Sequence, residues 1–265
     1  MKLISLEDNV QMVYEEAAKK ILKHTPLLFI RSRRRENSLE PLGSGVLFKR
    51  GERHFLLTAA HCIRQKGQMI KIGILNKEGK LRLLKGKVVM LLGKNNEIDI
   101  GVVALAPESV QPCYEGYEFL NETQVLPNQN IEDETEYLIV GHPITKTSID
   151  HVRGKIKREP LVFIGKSKGQ RFYERLGYDK RIHTFLGYNR RRGQYMGMNE
   201  MSMAPEPQGI SGCGLWYITS YFMEDISKVD YRLSGIMTEY FQTENAVLAA
   251  KIEGVLAILS RIDSC

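Results

Sequence analysis

Three residues whose types can share a nucleophilic reaction stand in distinctive surroundings. Ser211 lies in Pro207-Gln208-Gly209-Ile210-Ser211-Gly212-Cys213-Gly214, ahead of the apolar stretch Leu215-Trp216-Tyr217-Ile218. His61 sits in Leu56-Leu57-Thr58-Ala59-Ala60-His61-Cys62, and Asp99 opens the run Asp99-Ile100-Gly101-Val102. A serine hydroxyl becomes a useful nucleophile when a neighbouring base takes its proton. Histidine serves as that base when a carboxylate fixes its tautomer. Glycines beside the serine let backbone N–H groups converge on a developing oxyanion. Each residue alone also has a plainer reading: a glycine turn between strands, a satisfied core histidine, an acid at a strand end. Cys213 could itself be a nucleophile, but the glycines frame Ser211, and Cys213 reads as a small buried apolar residue.

The chain order is His61, Asp99, Ser211, one of the orders in which acyl-transfer triads occur. All 6 histidines precede Ser211, which excludes the order serine, acid, histidine of the α/β-hydrolases for this serine. Thr58-Ala59-Ala60-His61-Cys62 resembles the histidine motif of the chymotrypsin-like (trypsin-like) serine proteases. Asp99-Ile100-Gly101-Val102 resembles their aspartate motif, and Gly209-Ile210-Ser211-Gly212 their nucleophile motif. The resemblance spans roughly residues 42–240. It implies an all-β fold of two six-stranded-type antiparallel barrels, with His61 as general base, Asp99 as its orienting acid and Ser211 as nucleophile. It also implies an oxyanion hole from the N–H groups of Gly209 and Ser211, a protein or peptide substrate, and neither metal nor cofactor.

Two departures refine the resemblance. The family often carries Asp immediately before the serine, where this chain has Ile210. Secreted relatives mature by N-terminal cleavage, and the new ammonium pairs with that Asp. Ile210 cannot accept a buried charge, so the oxyanion hole is expected to form without a newly made N-terminus. Control would come from a regulatory partner, from the loop region Gly165–Gly193 or from target availability. The family also often bridges the Cys beside the histidine to the preceding strand, and Gly43-Ser44-Gly45-Val46-Leu47-Phe48 has no Cys. Both departures point to the stand-alone, disulfide-free members found inside bacterial cells. The acid that the family places six residues before the serine is here Pro205, with Glu206 next to it. Glu206 is a substrate-charge candidate, with an exposed loop acid as the alternative. The stretch Gly235-Ile236-Met237-Thr238-Glu239 resembles the strand that takes substrate backbone by β-addition, beginning at Thr238.

Composition agrees with a soluble globular chain: 265 residues, 43% hydrophobic and 26% charged. No stretch approaches the ~18 apolar residues of a membrane span, and the N-terminus shows no signal-peptide pattern. The cysteines Cys62, Cys113, Cys213 and Cys265 lack metal-ligand spacing. Free thiols and a cytoplasmic setting are therefore expected.

Residues 5–23 read as a helix capped by Ser5, and Asn245–Ile262 as an amphipathic helix. Between them strand follows strand. Leu27–Ile30, Val46–Phe48, His54–Thr58, Met69–Leu75, Leu81–Leu92 and Ile98–Leu105 lie in a first half, residues 1–120. Tyr137–Val140, Leu161–Ile164, Leu215–Tyr221 and Leu233–Tyr240 lie in a second, 121–265. Pro107–Asn130 reads as the connection, and the two halves together as one domain. A short helix at Ala59–Ile63 would carry His61. His142 reads as a turn residue lining the second barrel.

The net charge is +7, and the clusters Arg33-Arg34-Arg35 and Arg190-Arg191-Arg192, the second interleaved with tyrosines, resemble a single-strand nucleic-acid recipe. No nucleic-acid motif accompanies them, so solvated basic loops are the preferred reading. The sequence thus points to a serine endopeptidase. Fold-level analogy extends this to regulated cleavage of a specific partner, such as an effector in a stress or antiviral defence system. The alternative is a protease fold with a gated or inert triad, used as a binding module.

Overall fold

Short apolar runs punctuated by turn residues fold here as antiparallel strands. The computed structural model describes residues 6–32, 39–93, 98–127, 133–150, 155–189, 205–220 and 225–263. The Arg33–Arg35 and Arg190–Arg192 clusters, Ser5 and Cys265 lie outside the described residues.

The first half is built from two sheets. One orders Leu39–Ser44, Leu27–Arg31, Ile72–Leu75 and Leu81–Leu83; the other orders Leu120–Asn121, Val46–Arg50, Arg53–Ala59, Asp99–Leu105 and Gly86–Leu92. The stretch Leu81–Leu92, which the sequence presents as one strand, is therefore two strands in different sheets. The corner falls at Gly86, where a Cβ would lie 2.1 Å from the Ala104 carbonyl oxygen, so only glycine fits. Met69–Leu75 is likewise broken. Lys66 (φ 48°) and Gly67 (φ 78°) make a tight turn that folds Gln68–Met69 back onto Arg64–Gln65. The longer strand starts only at Ile72.

Besides a separate hairpin of Thr147–Asp150 with Lys155–Arg158, the second half holds a six-stranded sheet in the order Leu161–Lys166, Glu136–Gly141, Gly214–Ile218, Tyr231–Phe241, Ala246–Lys251, His183–Gly187. A bridge between Ser167 and Leu186 joins its two edges, so the sheet closes on itself. The reading of Asn245–Ile262 as a single helix is corrected here: Ala246–Lys251 is a strand and the helix is Ile252–Asp263. Ala246, Val247, Leu248, Ala249 and Ala250 are all buried, and the strand is paired on both edges. Such a run shows no alternation to distinguish it from a helix. Two helices fall in stretches read as irregular. One is Pro107–Tyr114, opened by Pro107 and Glu108. The other is Gln170–Leu176, ended by Gly177 in the left-handed region.

The N-terminal helix Leu6–Leu22 buries Val13, Tyr14, Ala17, Ala18 and Ile21 on one face. They join a cluster containing Leu57 and Val102 of the first half, Val140 and Trp216 of the second, and Leu259 of the C-terminal helix. The interior therefore runs across residue 120. Among the described residues, no helix is long and apolar enough to cross a membrane.

Candidate active site

Strand register brings the histidine to the acid. Ile100 lies opposite Ala59, so residue 99 falls beside the turn that follows Ala59. There a single 3-10 turn, Ala60–Cys62, lifts His61 out of the sheet. Asp99 grips that turn twice. Its Oδ1 accepts the His61 backbone N–H at 3.1 Å and its Oδ2 lies 2.5 Å from His61 Nδ1. A carboxylate bonded to Nδ1 leaves the Nε2 lone pair as the basic site. Burial alone would lower the His61 pKa, but the bonds to Asp99 and Cys62 outweigh it and raise the value above the ordinary histidine range.

The serine is placed from the other half. Met237 N–H donates to the Cys213 carbonyl at 2.9 Å and Gly212 N–H to the Met237 carbonyl at 2.7 Å, which sets Thr238 against Ser211. Across the strand pair, Met237 faces Ala249 and Glu239 faces Leu248, so Thr238 is a bulge residue and its carbonyl is freed from the ladder. Ser211 Oγ donates to that carbonyl at 3.4 Å, a long bond. The Ser211 carbonyl in turn accepts from Ser44 N–H of the first half at 2.9 Å. Gly212 (φ 86°) makes this approach possible: a Cβ there would lie 2.1 Å from Thr58 Oγ1 and 2.2 Å from the Ser44 carbonyl oxygen. His61, Asp99, Ser211, Thr238 and Glu239 all line one cleft of about 710 Å³.

The segment before the serine is a turn of type II character. Ile210 N–H donates to the Pro207 carbonyl at 3.1 Å, and Gly209 has φ 94°. The Gln208 carbonyl is held by Ile144 N–H at 2.8 Å. A trans peptide points its N–H opposite to its C=O, so the Gly209 N–H is turned away from Ile144. Among the described residues, no backbone carbonyl accepts from Gly209 or Ser211 N–H. Ile210 is buried beside Ile139, Phe163 and Met237, an apolar setting with no place for an ion pair.

Ser44 went unnoticed in the sequence. Its Oγ accepts from His142 N–H at 3.0 Å and donates to the Gly209 carbonyl at 3.3 Å. It thus ties the turn before the serine to the end of the Glu136–Gly141 strand. Its small polar type between two glycines was the available signal. His142 is buried; burial and the nearby Arg158 hold its pKa down at about 4, against a bond to the Thr25 carbonyl. Ser44→Ala should leave a buried N–H and carbonyl unpaired. A stability loss of about 1–3 kcal/mol is expected in urea unfolding, with kcat falling more than KM rises.

Cys62, Cys113 and Cys213 are buried, unbridged thiols. Gly43 faces Cys62, a Cβ there lying 2.8 Å from its Sγ. Complete burial pushes the Cys213 thiol well up, which suits a packing role. Glu206 is exposed, and the described cleft wall does not include it.

No protein-family model and no curated protein matches this sequence. Solved structures do. Neuropsin, a serine protease expressed in the limbic system of mouse brain, superposes with a TM-score of 0.54 at 16% identity, over 91% of this chain and 94% of that one. The serine endoprotease from Yersinia pestis gives 0.51 at 17% identity, over 94% of this chain. This chain spans 65% of the length of the Yersinia pestis chain. The fold is therefore the chymotrypsin-like serine protease fold, here with a helix at each end of the described chain.

Proposed function

We propose that this chain is a serine endopeptidase in which Ser211 attacks a peptide carbonyl, His61 takes its proton and Asp99 holds the imidazole. The doubly bonded Asp99–His61 pair beside Ser211 in one cleft carries this reading. A substrate strand laid along the Thr238 segment would place its own N–H on the Thr238 carbonyl. That N–H displaces the Ser211 hydroxyl, which is then released towards His61. The proton passes to Nε2 as the acyl bond forms, and the imidazolium returns it to the departing amine. The Gly209 and Ser211 N–H groups would receive the oxyanion. The Gln208–Gly209 peptide is already fixed by Ile144, so this arrangement needs no buried N-terminal ammonium. Three unbridged thiols among the described residues fit a reducing, cytoplasmic setting; a bacterial source and a specific protein as target belong to the same proposal.

One observation favours a gated state: Ser211 Oγ rests on Thr238 and not on His61. The test is labelling by a fluorophosphonate, which reports a competent serine without knowledge of the substrate. Labelling of the native chain and not of Ser211→Ala supports the endopeptidase. No labelling, even with an extended peptide present to occupy Thr238, supports a binding module.

A further inference from the structure

We propose that Glu239 determines specificity in the cleft, selecting Lys or Arg at the second residue on the N-terminal side of the bond to be cut. This rests on the endopeptidase reading above. Glu239 stands between Thr238 and Tyr240 in the strand Tyr231–Phe241, and all three line the cleft. Thr238 is buried and Glu239 exposed, so the Glu239 side chain leaves the sheet on the open side. Desolvation first, and the nearby Asp99 carboxylate second, push its carboxyl above the usual carboxylate range, partly countered by His61. Arg64 and Lys66 line the same cleft. Among the described residues, none of the ion pairs engages Glu239. Of the two carboxylates facing the cleft, Asp99 is committed to His61, and Glu239 is left to meet a cation that the substrate brings.

The bulge fixes where the charge is to be met. A substrate residue whose N–H bonds the Thr238 carbonyl brings its own carbonyl to Ser211. In antiparallel pairing the preceding substrate residue then lies opposite Glu239. Directly opposed residues share a face, with Cβ atoms roughly 4.5–5.5 Å apart. That is the face of His61 and Asp99. A Lys or Arg side chain there reaches the Glu239 carboxylate, and an acidic one meets both carboxylates. The residue before it points to the other face.

The experiment uses three fluorogenic peptides built on a cleaved sequence from a peptide library, differing only in Lys, norleucine or Glu at that position. The native chain should favour Lys over norleucine by about threefold to fivefold in kcat/KM, a ratio fitting an exposed ion pair, and salt should shrink it. In Glu239→Gln the ratio should collapse towards one. Glu239→Lys should turn the preference towards a Glu peptide. A native ratio near one, or a Lys preference that survives Glu239→Gln, overturns the proposal. Fluorophosphonate labelling of the same preparations separates the two failures. A labelled protein without the preference sinks the role of Glu239 and leaves the endopeptidase standing. A protein that neither labels nor cleaves sinks both.

Discussion

Ser211→Ala and His61→Ala should each lower turnover by on the order of 10⁴- to 10⁶-fold, since such residues act as a unit. The fold should be kept, because Ser211 and His61 line an open cleft. Asp99→Asn should lose about 10⁴-fold by another route. Its amide oxygen can accept the His61 backbone N–H, but its NH₂ then faces Nδ1 and drives the ring proton to Nε2, where the base is needed. The pH profile carries a signature of its own. The raised His61 pKa keeps imidazolium abundant at neutral pH, so kcat/KM should climb with pH beyond the ordinary value of about 6.5, and Asp99→Asn should move that limb downward. For stability the sign is reversed. A raised histidine pKa contributes fully below the unfolded pKa and is lost as pH rises through the folded one. The native advantage over His61→Ala in urea should therefore shrink in alkali. Near-normal turnover by His61→Ala would overturn the assignment.

The second large effect concerns the residue before the serine. Ile210→Asp puts in place the acid that the resembled family often carries before its serine, but here it would enter a cluster of Tyr137, Ile139, Phe163, Leu186 and Met237. A buried charge without a partner costs on the order of 3–5 kcal/mol, a large part of a domain's net stability. The urea midpoint should fall steeply, while Ile210→Val should cost only about 0.5–1.5 kcal/mol. The same apolar setting predicts that Ser211 labels in the chain with residues 1–30 intact. If Ile210→Asp unfolds like the native protein and labelling needs a fresh, unblocked amine near Leu27–Ile30, an ammonium site has been missed.

Much of this arrangement was readable from residues alone. His61, Asp99 and Ser211 converge because local motifs mark the ends of strands, and strand ends are where a sheet presents side chains to a cleft. Thr238, singled out from the sequence, lines the same cleft. The Ala246–Lys251 strand was not legible. A run buried on every side carries no period, and the helix that follows lent it one. The corner at Gly86 was hidden because apolar residues continue through it. Glu239 was visible as a charge in the apolar run Ile236-Met237-Thr238-Glu239-Tyr240, but its meaning depends on the bulge, and a bulge leaves no mark in composition. The Ser44 hydroxyl acts through partners nearly a hundred residues or more away, a distance no local pattern spans.

The connection between the halves has a final consequence. Leu120 is fully buried and Tyr117 nearly so. Glu118 N–H is bonded to Lys23 at the end of the N-terminal helix, and Leu126 N–H to Leu233 in the second barrel. A hinge needs a few residues free to absorb backbone rotation, and these are anchored. Among the described residues, the connection therefore gives the jaws of the cleft no axle to swing on. For an endopeptidase this amounts to built-in restraint. On the endopeptidase reading, a compact neighbour would offer nothing that fits, and only a segment already loose enough to be drawn out straight would be cut.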